Sequence, residues 1–369
     1  MLCMLLLSGC GSVSELSFDT LQVGSEGEEL TTLGMSPEFN YEVPESLPSV
    51  LVDQAGYARE SDKEAFFRGE SLPDTFTVVN AKNGQTVFTG QIEQREADQE
   101  SGLQISYGDF TALKASGTYY IQAAMVGQSY PFKIEENPYE ELYHTALKKY
   151  YYNRCGLTLS SELAGEEARN ACHSREAQLK DQAEVELDVS GGWHVDEMGS
   201  KDVSKGCGTA NYLLTAFELY PDTFNDEVGI PESGNEIPDV LDEVKYEIDW
   251  LLKMQDAKSG AVYAGVSSMD SKSSGYLLYV DGINMNATIQ FAATLAKFSY
   301  LYQSYDRAFA TQCLQAADRA YRYAGKYLED VTPEEYFHAA AELYRATGNY
   351  GYHNVVKTYL LENLVTDMQ

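Results

Sequence analysis

One stretch of the chain carries a donor set that metal chemistry can use: Cys155, the adjacent pair Cys172-His173, and His194. Two thiolates and two imidazoles from separate segments are what a tetrahedral zinc site takes. With all four positions filled by protein, no place is left for substrate. The site this predicts is structural, coupling metal binding to the order of the loop that carries its ligands. Its spacing is too wide for a zinc finger. A Cys155–Cys172 disulfide beside two unrelated histidines is the other reading of the same residues, open to an exported protein. His144, His338 and His353 lie on helix-patterned segments without ligand neighbours and read as surface or packing residues.

Carboxylates follow at once. The stretch ends in Gly191-Gly192-Trp193-His194 and continues Val195-Asp196-Glu197-Met198, so Asp196 and Glu197 can either do general-base work or sit as solvated loop acids. Trp193 offers an aromatic face on which a sugar can stack. Asp239, Asp242 and Glu243 stand at i, i+3 and i+4 and share a helix face near Glu232-Ser233-Gly234. Hard oxygen ligands grouped this way can hold calcium, although acids in a first helical turn are also expected from the macrodipole.

These motifs carry a family resemblance. Tyr151-Tyr152-Asn153-Arg154-Cys155-Gly156, Cys172-His173 and Asp188-Val189-Ser190-Gly191-Gly192-Trp193-His194 resemble the zinc-binding and active-site loop of family 9 glycoside hydrolases, the cellulase-type endoglucanases. Ile230-Pro231-Glu232-Ser233-Gly234-Asn235-Glu236-Ile237-Pro238-Asp239-Val240-Leu241-Asp242-Glu243 and Trp250-Leu251-Leu252-Lys253-Met254-Gln255 resemble that family's next signatures, in its order. The resemblance implies inverting hydrolysis of β-1,4-glucosidic bonds in cellulose or a related β-glucan, an (α/α)6 toroid and a structural zinc. It also implies a general-acid glutamate near the end of a longer catalytic domain. In the family, an Asp-Ala-Gly-Asp run follows the histidine and activates the attacking water. Aligned without gaps, Val195 and Met198 take the two aspartate positions, and neither side chain accepts a proton. Asp196 or Glu197 replaces them only if the loop shifts by one residue, because an inverting pair must stand about 6.5–9.5 Å apart.

The elements that position these residues are legible from periodicity. Residues 1–10 end in Leu7-Ser8-Gly9-Cys10, which resembles a bacterial lipobox with Cys10 as the lipidated residue; a frayed apolar terminus is the alternative. The apolar run is too short to span a bilayer as a helix. Residues 11–48, rich in Ser, Glu, Gly and Thr, read as a flexible tether. Between 49 and 136 the pattern alternates with period two, in short β-branched and aromatic runs separated by turn residues. Asn83-Gly84 between two of the runs predicts a tight hairpin turn. The expected fold is an immunoglobulin-like β-sandwich. It resembles the module that precedes many family 9 catalytic domains, through Val52-Asp53-Gln54-Ala55-Gly56-Tyr57 and Gly117-Thr118-Tyr119-Tyr120.

From 137 to 369 the period is helical. Helices are expected over about 140–152, from 212 to 219, from Pro238 to Gln255, and over about 284–304, 307–328, 333–347 and 351–364. Thr332-Pro333-Glu334-Glu335 is a capping box and Gly348 a helix stop. The whole is therefore expected to be multidomain, a β-sandwich followed by an all-α, incomplete (α/α)6 toroid. The chain ends before the glutamate-bearing half the resemblance calls for, which reads as C-terminal truncation.

Composition narrows the partners. With 26 basic and 57 acidic residues the net charge is −31, which repels nucleic acid and anionic membrane and suits a neutral polysaccharide. The only membrane association expected is through the lipid on Cys10, placing the protein at the cell surface, outside the cell. Cys207 and Cys313 read as single buried thiols. Two functions fit: a cellulase-type glycoside hydrolase, or a surface glycan-binding or structural lipoprotein that keeps the fold and the zinc without the chemistry.

Overall fold

The structure is a computed structural model that describes residues 48–69, 71–94, 105–271 and 275–364. The expected lipidation site at Cys10 and nearly all of the expected 11–48 tether lie outside these residues. The chain divides into two compact units between residues 142 and 143.

The first unit is the expected sandwich. Its strands are β1 (Val50–Leu51), β2 (Tyr57–Ala58), β3 (Glu64–Arg68), β4 (Thr75–Asn80), β5 (Thr86–Gln91), β6 (Glu93–Gln94), β7 (Ile105–Asp109), β8 (Gly117–Ala123), β9 (Gly127–Gln128) and β10 (Phe132–Glu135). One sheet runs β1-β3-β7-β6. The other runs β2-β10-β8-β4-β5, with β9 paired to β8; only the β10–β2 pairing is parallel. Alternation buries Ala65 and Phe67 on β3, Phe76 and Val78 on β4, Tyr119 and Ile121 on β8, and Phe132 and Ile134 on β10. Their side chains form one aromatic core, with the Phe67 and Phe76 rings 5.4 Å apart and Phe110 and Phe132 5.5 Å apart. The Asn83-Gly84 turn is looser than expected. Only Gly84 has positive φ (71°), and residues 81–85 join β4 to β5, closed by Gly84 N to Asn80 O at 2.8 Å. A two-residue type I′ turn needs both central residues left-handed, and Asn83 is not.

The second unit contains α1 (Glu140–Tyr152), α2 (Ser161–Ala164), β11 (Ala177–Leu179), β12 (Gln182–Leu187), β13 (Lys201–Asp202), α3 (Val203–Leu219) and α4 (Asp239–Lys253), then β14 (Gly265–Ser271), β15 (Gly275–Val280), α5 (Met285–Tyr302), α6 (Arg307–Ala324), α7 (Pro333–Thr347) and α8 (Tyr350–Leu364). It is not all-α. A five-stranded sheet of order β12-β11-β15-β14-β13 interrupts the helices. β11 and β13 are only three and two residues long, β12 is Glu-bearing and β14 Ser-rich, so their alternation is weak against the helical pattern around them.

The helices otherwise follow the periodicity. Asp202 caps α3, its side chain accepting from Lys205 N, and α3 starts nine residues earlier than read. The capping box of Thr332 with Glu335 opens α7, and Gly348 at φ 67° closes it. Helix α5 packs against α3, α6 and α7. Four side-chain pairs fix its register on α3: Ser204 with Asn286, Asn211 with Thr294, Thr215 with Lys297, and Glu218 with Tyr300. Each partner lies 82 or 83 positions further along the chain, so the two helices run parallel.

Candidate metal centre and active-site loop

The four soft ligands converge. One ligand atom from each of Cys155, Cys172, His173 and His194 lies within 4.8 Å of the others, and both cysteines are free thiols, not a disulfide. Local backbone pairing makes this possible. After α1 the chain 153–155 bonds 192–194 in antiparallel fashion, with Cys155 N to Gly192 O at 2.8 Å and His194 N to Asn153 O at 2.9 Å. That pairing places Cys155 beside His194. A second bridge, Leu159 with Arg169, brings the loop of Cys172 and His173 back to the same place. His173 adopts φ 48°, rare for a residue with a Cβ, and its ring fills the space over Gly199 where a Cβ would overlap it.

Hydrogen bonds set the roles of the ligands. His173 Nε2 lies 3.1 Å from Met198 O, which ties the ring to the same loop. Cys172 Sγ lies 3.4 Å from His194 Nε2 and 3.4 Å from an Arg169 guanidinium nitrogen. The hydrogen bond from Cys155, helped by those from both imidazoles, pulls the Cys172 thiol far below its usual range. That same bond and burial push Cys155 up, so Cys172 is the first thiolate.

Beneath the ligand loop lies a buried polar frame that periodicity alone did not reveal. The Trp193 backbone N–H donates to Glu247 Oε2 at 2.7 Å, and the indole N–H donates to Glu243 Oε1 at 2.8 Å. Glu243 also receives Arg154, which grips Glu232 with its other nitrogens at 2.9 and 3.0 Å. The Lys201 ammonium donates to Val189 O and Gly191 O, holding the glycine turn. Burial lowers the Lys201 pKa and raises that of Glu247 to about 8. A signal for the acids existed: Glu243 and Glu247 stand within the apolar stripe of α4, alongside Val240, Val244 and Leu251. A charge inside a buried stripe demands a partner.

Three expectations change here. Trp193 is only 6% exposed, its ring against Tyr150 at 5.3 Å, so it is core and offers no sugar-stacking face. The acids Asp239, Asp242 and Glu243 each turn to separate protein partners instead of to one another: Asp239 accepts from Val228 N and Ser233 Oγ, Asp242 from Asn235, and Glu243 from Arg154 and Trp193. Among the described residues only the Cys/His group forms a metal-ligand cluster. Asp196 and Glu197 differ from each other. Asp196 is exposed and closes its own turn, accepting from Ser200 N at 2.9 Å; burial raises its pKa, but hydrogen bonds from Ser200, Met198 and Gly199 outweigh it and hold the carboxyl below its usual range. Glu197 is exposed and has no partner among the described residues. Val195 and Met198 are exposed on the same loop, at 37% and 43%.

Comparison with known proteins agrees with this geometry. The profile described as "Glycosyl hydrolase family 9" matches residues 139–368, and "Cellulase N-terminal ig-like domain" matches residues 45–128. A cellodextrinase of Butyrivibrio fibrisolvens is 30% identical over 336 residues, covering 84% of this chain and 60% of its own length. A solved family 9 glycoside hydrolase from Bacteroides ovatus superposes with a TM-score of 0.76 at 25% identity, over 84% of this chain and 64% of that one. A solved Zn-binding triple mutant of the family 9 endoglucanase J30 gives 0.72 at 29%, over 82% and 62%. The chain thus spans about 60% of the length of the curated relative it matches first. With its family profile matched from α1 to the end of α8, behind a cellulase-type immunoglobulin-like domain, the chain belongs to glycosyl hydrolase family 9.

Proposed function

We propose that this chain forms part of a glycoside hydrolase that cleaves β-1,4-glucosidic bonds of a cellulose-like glucan with inversion. The helices of the second unit would contribute to an (α/α)6 toroid. The observation that carries this reading is the family match combined with the assembled ligand loop, which sets a carboxylate pair ahead of α3. The relatives named above act on cellodextrins or glucans by their names, in keeping with the neutral polymer that the acidic composition favours.

Within that reading the Cys/His group holds zinc. Two thiols and two imidazoles within 4.8 Å match its tetrahedral demand, and a solved relative is a Zn-binding variant. Cys155, Cys172, His173 and His194 would hold the ion and so order the loop, and four protein ligands would leave it no position for substrate. Glu197 is the candidate to deprotonate the attacking water, since Asp196 is committed to its turn. Reducing-sugar release from a soluble cellulose derivative by the complete gene product tests this. Glu197→Gln should lower the rate at least about 100-fold, the usual contribution of a general base, and Asp196→Asn should lower it less. An inactive wild-type protein would sink the hydrolase reading.

One observation favours a second reading. The positions where the family keeps its aspartate pair hold exposed Val195 and Met198. A glycan-binding lipoprotein without hydrolytic activity would be retarded by β-glucan in affinity electrophoresis yet release no sugar. In either case the Leu7-Ser8-Gly9-Cys10 run supports lipidation at Cys10 and a place on the outer cell surface. Labelled palmitate incorporation that survives Cys10→Ala would refute that anchor.

A further inference from the structure

The loops that carry the sulfur ligands are tied together by one guanidinium. Arg169 places one terminal nitrogen 3.4 Å from Cys172 Sγ, while the other donates to Tyr152 O at 2.9 Å and Arg154 O at 2.8 Å. Those carbonyls belong to the last residue of α1 and to the residue just before Cys155. Tyr152 O is among the acceptors a helix end leaves without intrahelical donors. The backbone of Arg169 is held as well, exchanging hydrogen bonds with Leu159 at 2.8 and 3.1 Å. One planar fork therefore touches a ligand sulfur and the backbone leading to the other ligand sulfur.

We infer that Arg169 is a positioning residue of the metal centre: its guanidinium stabilises the Cys172 thiolate and locks it to the end of α1, so that Cys172 and Cys155 present themselves as one preformed pair. The inference rests on the zinc reading above and extends it to a residue outside the ligand set. Lysine cannot substitute. A single ammonium lacks the planar fork that reaches two carbonyls and a sulfur from one rigid group. Outer-shell partners of metal ligands are worth about 10–100-fold in affinity when removed.

Zinc affinity, measured by competition with a chromogenic chelator, should fall about 10–100-fold in Arg169→Met and in Arg169→Lys alike. A purely structural role would not move the second readout, the sulfur-to-metal charge-transfer band of the cobalt-loaded protein. That band should shift in both variants, because the hydrogen bond to the thiolate sulfur is lost or changed, while far-ultraviolet circular dichroism shows both still folded. Wild-type affinity and an unchanged cobalt spectrum in folded Arg169→Met would overturn the inference alone. A wild-type protein that takes up neither zinc nor cobalt would overturn the metal reading together with it.

Discussion

The backbone N–H of Trp193 and the carboxyl oxygen of Glu247 meet at 2.7 Å inside the protein, where Glu247 is 1% exposed. Together with the Lys201 ammonium on Val189 O and Gly191 O, this bond holds the turn that presents His194 to the other ligands. It also makes the turn sensitive to pH. The folded pKa of Glu247 is raised to about 8 by burial, above the value near 4.3 expected in the unfolded chain. The folded state therefore keeps a proton that the unfolded state releases. The stabilisation is fully present below about pH 4 and is lost as pH rises through 8. Melting temperatures between pH 4.5 and 8.5 should fall for wild type and flatten for Glu247→Gln. Parallel curves would show that Glu247 does not hold its proton.

Arg154 is fully buried and joined to Glu243, also fully buried, and to Glu232. Arg154→Met leaves Glu243 without its cation, and denaturant unfolding should show a loss of about 3–5 kcal/mol. Adding Glu243→Leu should restore part of that loss. The remainder is the Trp193 indole N–H left without an acceptor and Glu232 left without its guanidinium.

Gly192 sits at φ +75° with an added Cβ 2.7 Å from the Trp250 ring. Gly192→Ala combines left-handed strain with overlap in a packed core, for about 2–4 kcal/mol. Zinc retained per chain after dialysis should drop as well, since Gly192 O is the acceptor that holds Cys155 N. Full metal content in a destabilised Gly192→Ala would separate the turn from the ligand cluster.

Cys172→Ser replaces the thiolate that forms first with a poor zinc ligand. Metal analysis should find it zinc-free, and a chelator should lower the melting temperature of wild type but not of the variant. Equal melting curves for wild type with and without chelator would count against a stabilising ion.

Much of this organisation was legible in the residues. Period-two alternation located the sandwich because inward positions such as Ala65 and Phe67 on β3 and Phe132 and Ile134 on β10 are buried while the positions between them are not. The ligand cluster was readable because Cys and His are few and zinc wants four of them. What escaped had weak local signals. The five-stranded sheet is built from short or weakly patterned strands and is closed by a pairing between segments far apart in sequence, β11 with β15. The burial of Trp193 depends on Glu243 and Glu247, 50 and 54 positions further along, and no window of sequence brings them together. Asp196 and Glu197 are adjacent and chemically alike, and only the fold shows which of them is spent on closing a turn.

The constant offset between partners on α3 and α5 has an evolutionary corollary. One residue inserted inside either helix would rotate everything beyond it by about 100° and dislocate every later rung of the ladder together. Between the two helices, turns that lie outside α4, with its Glu243 and Glu247, and outside the loop of Glu232 carry no such restriction. Length variation among descendants of this gene should accumulate there, in the turns between Tyr220 and Asn284, while α3 and α5 keep their residue count.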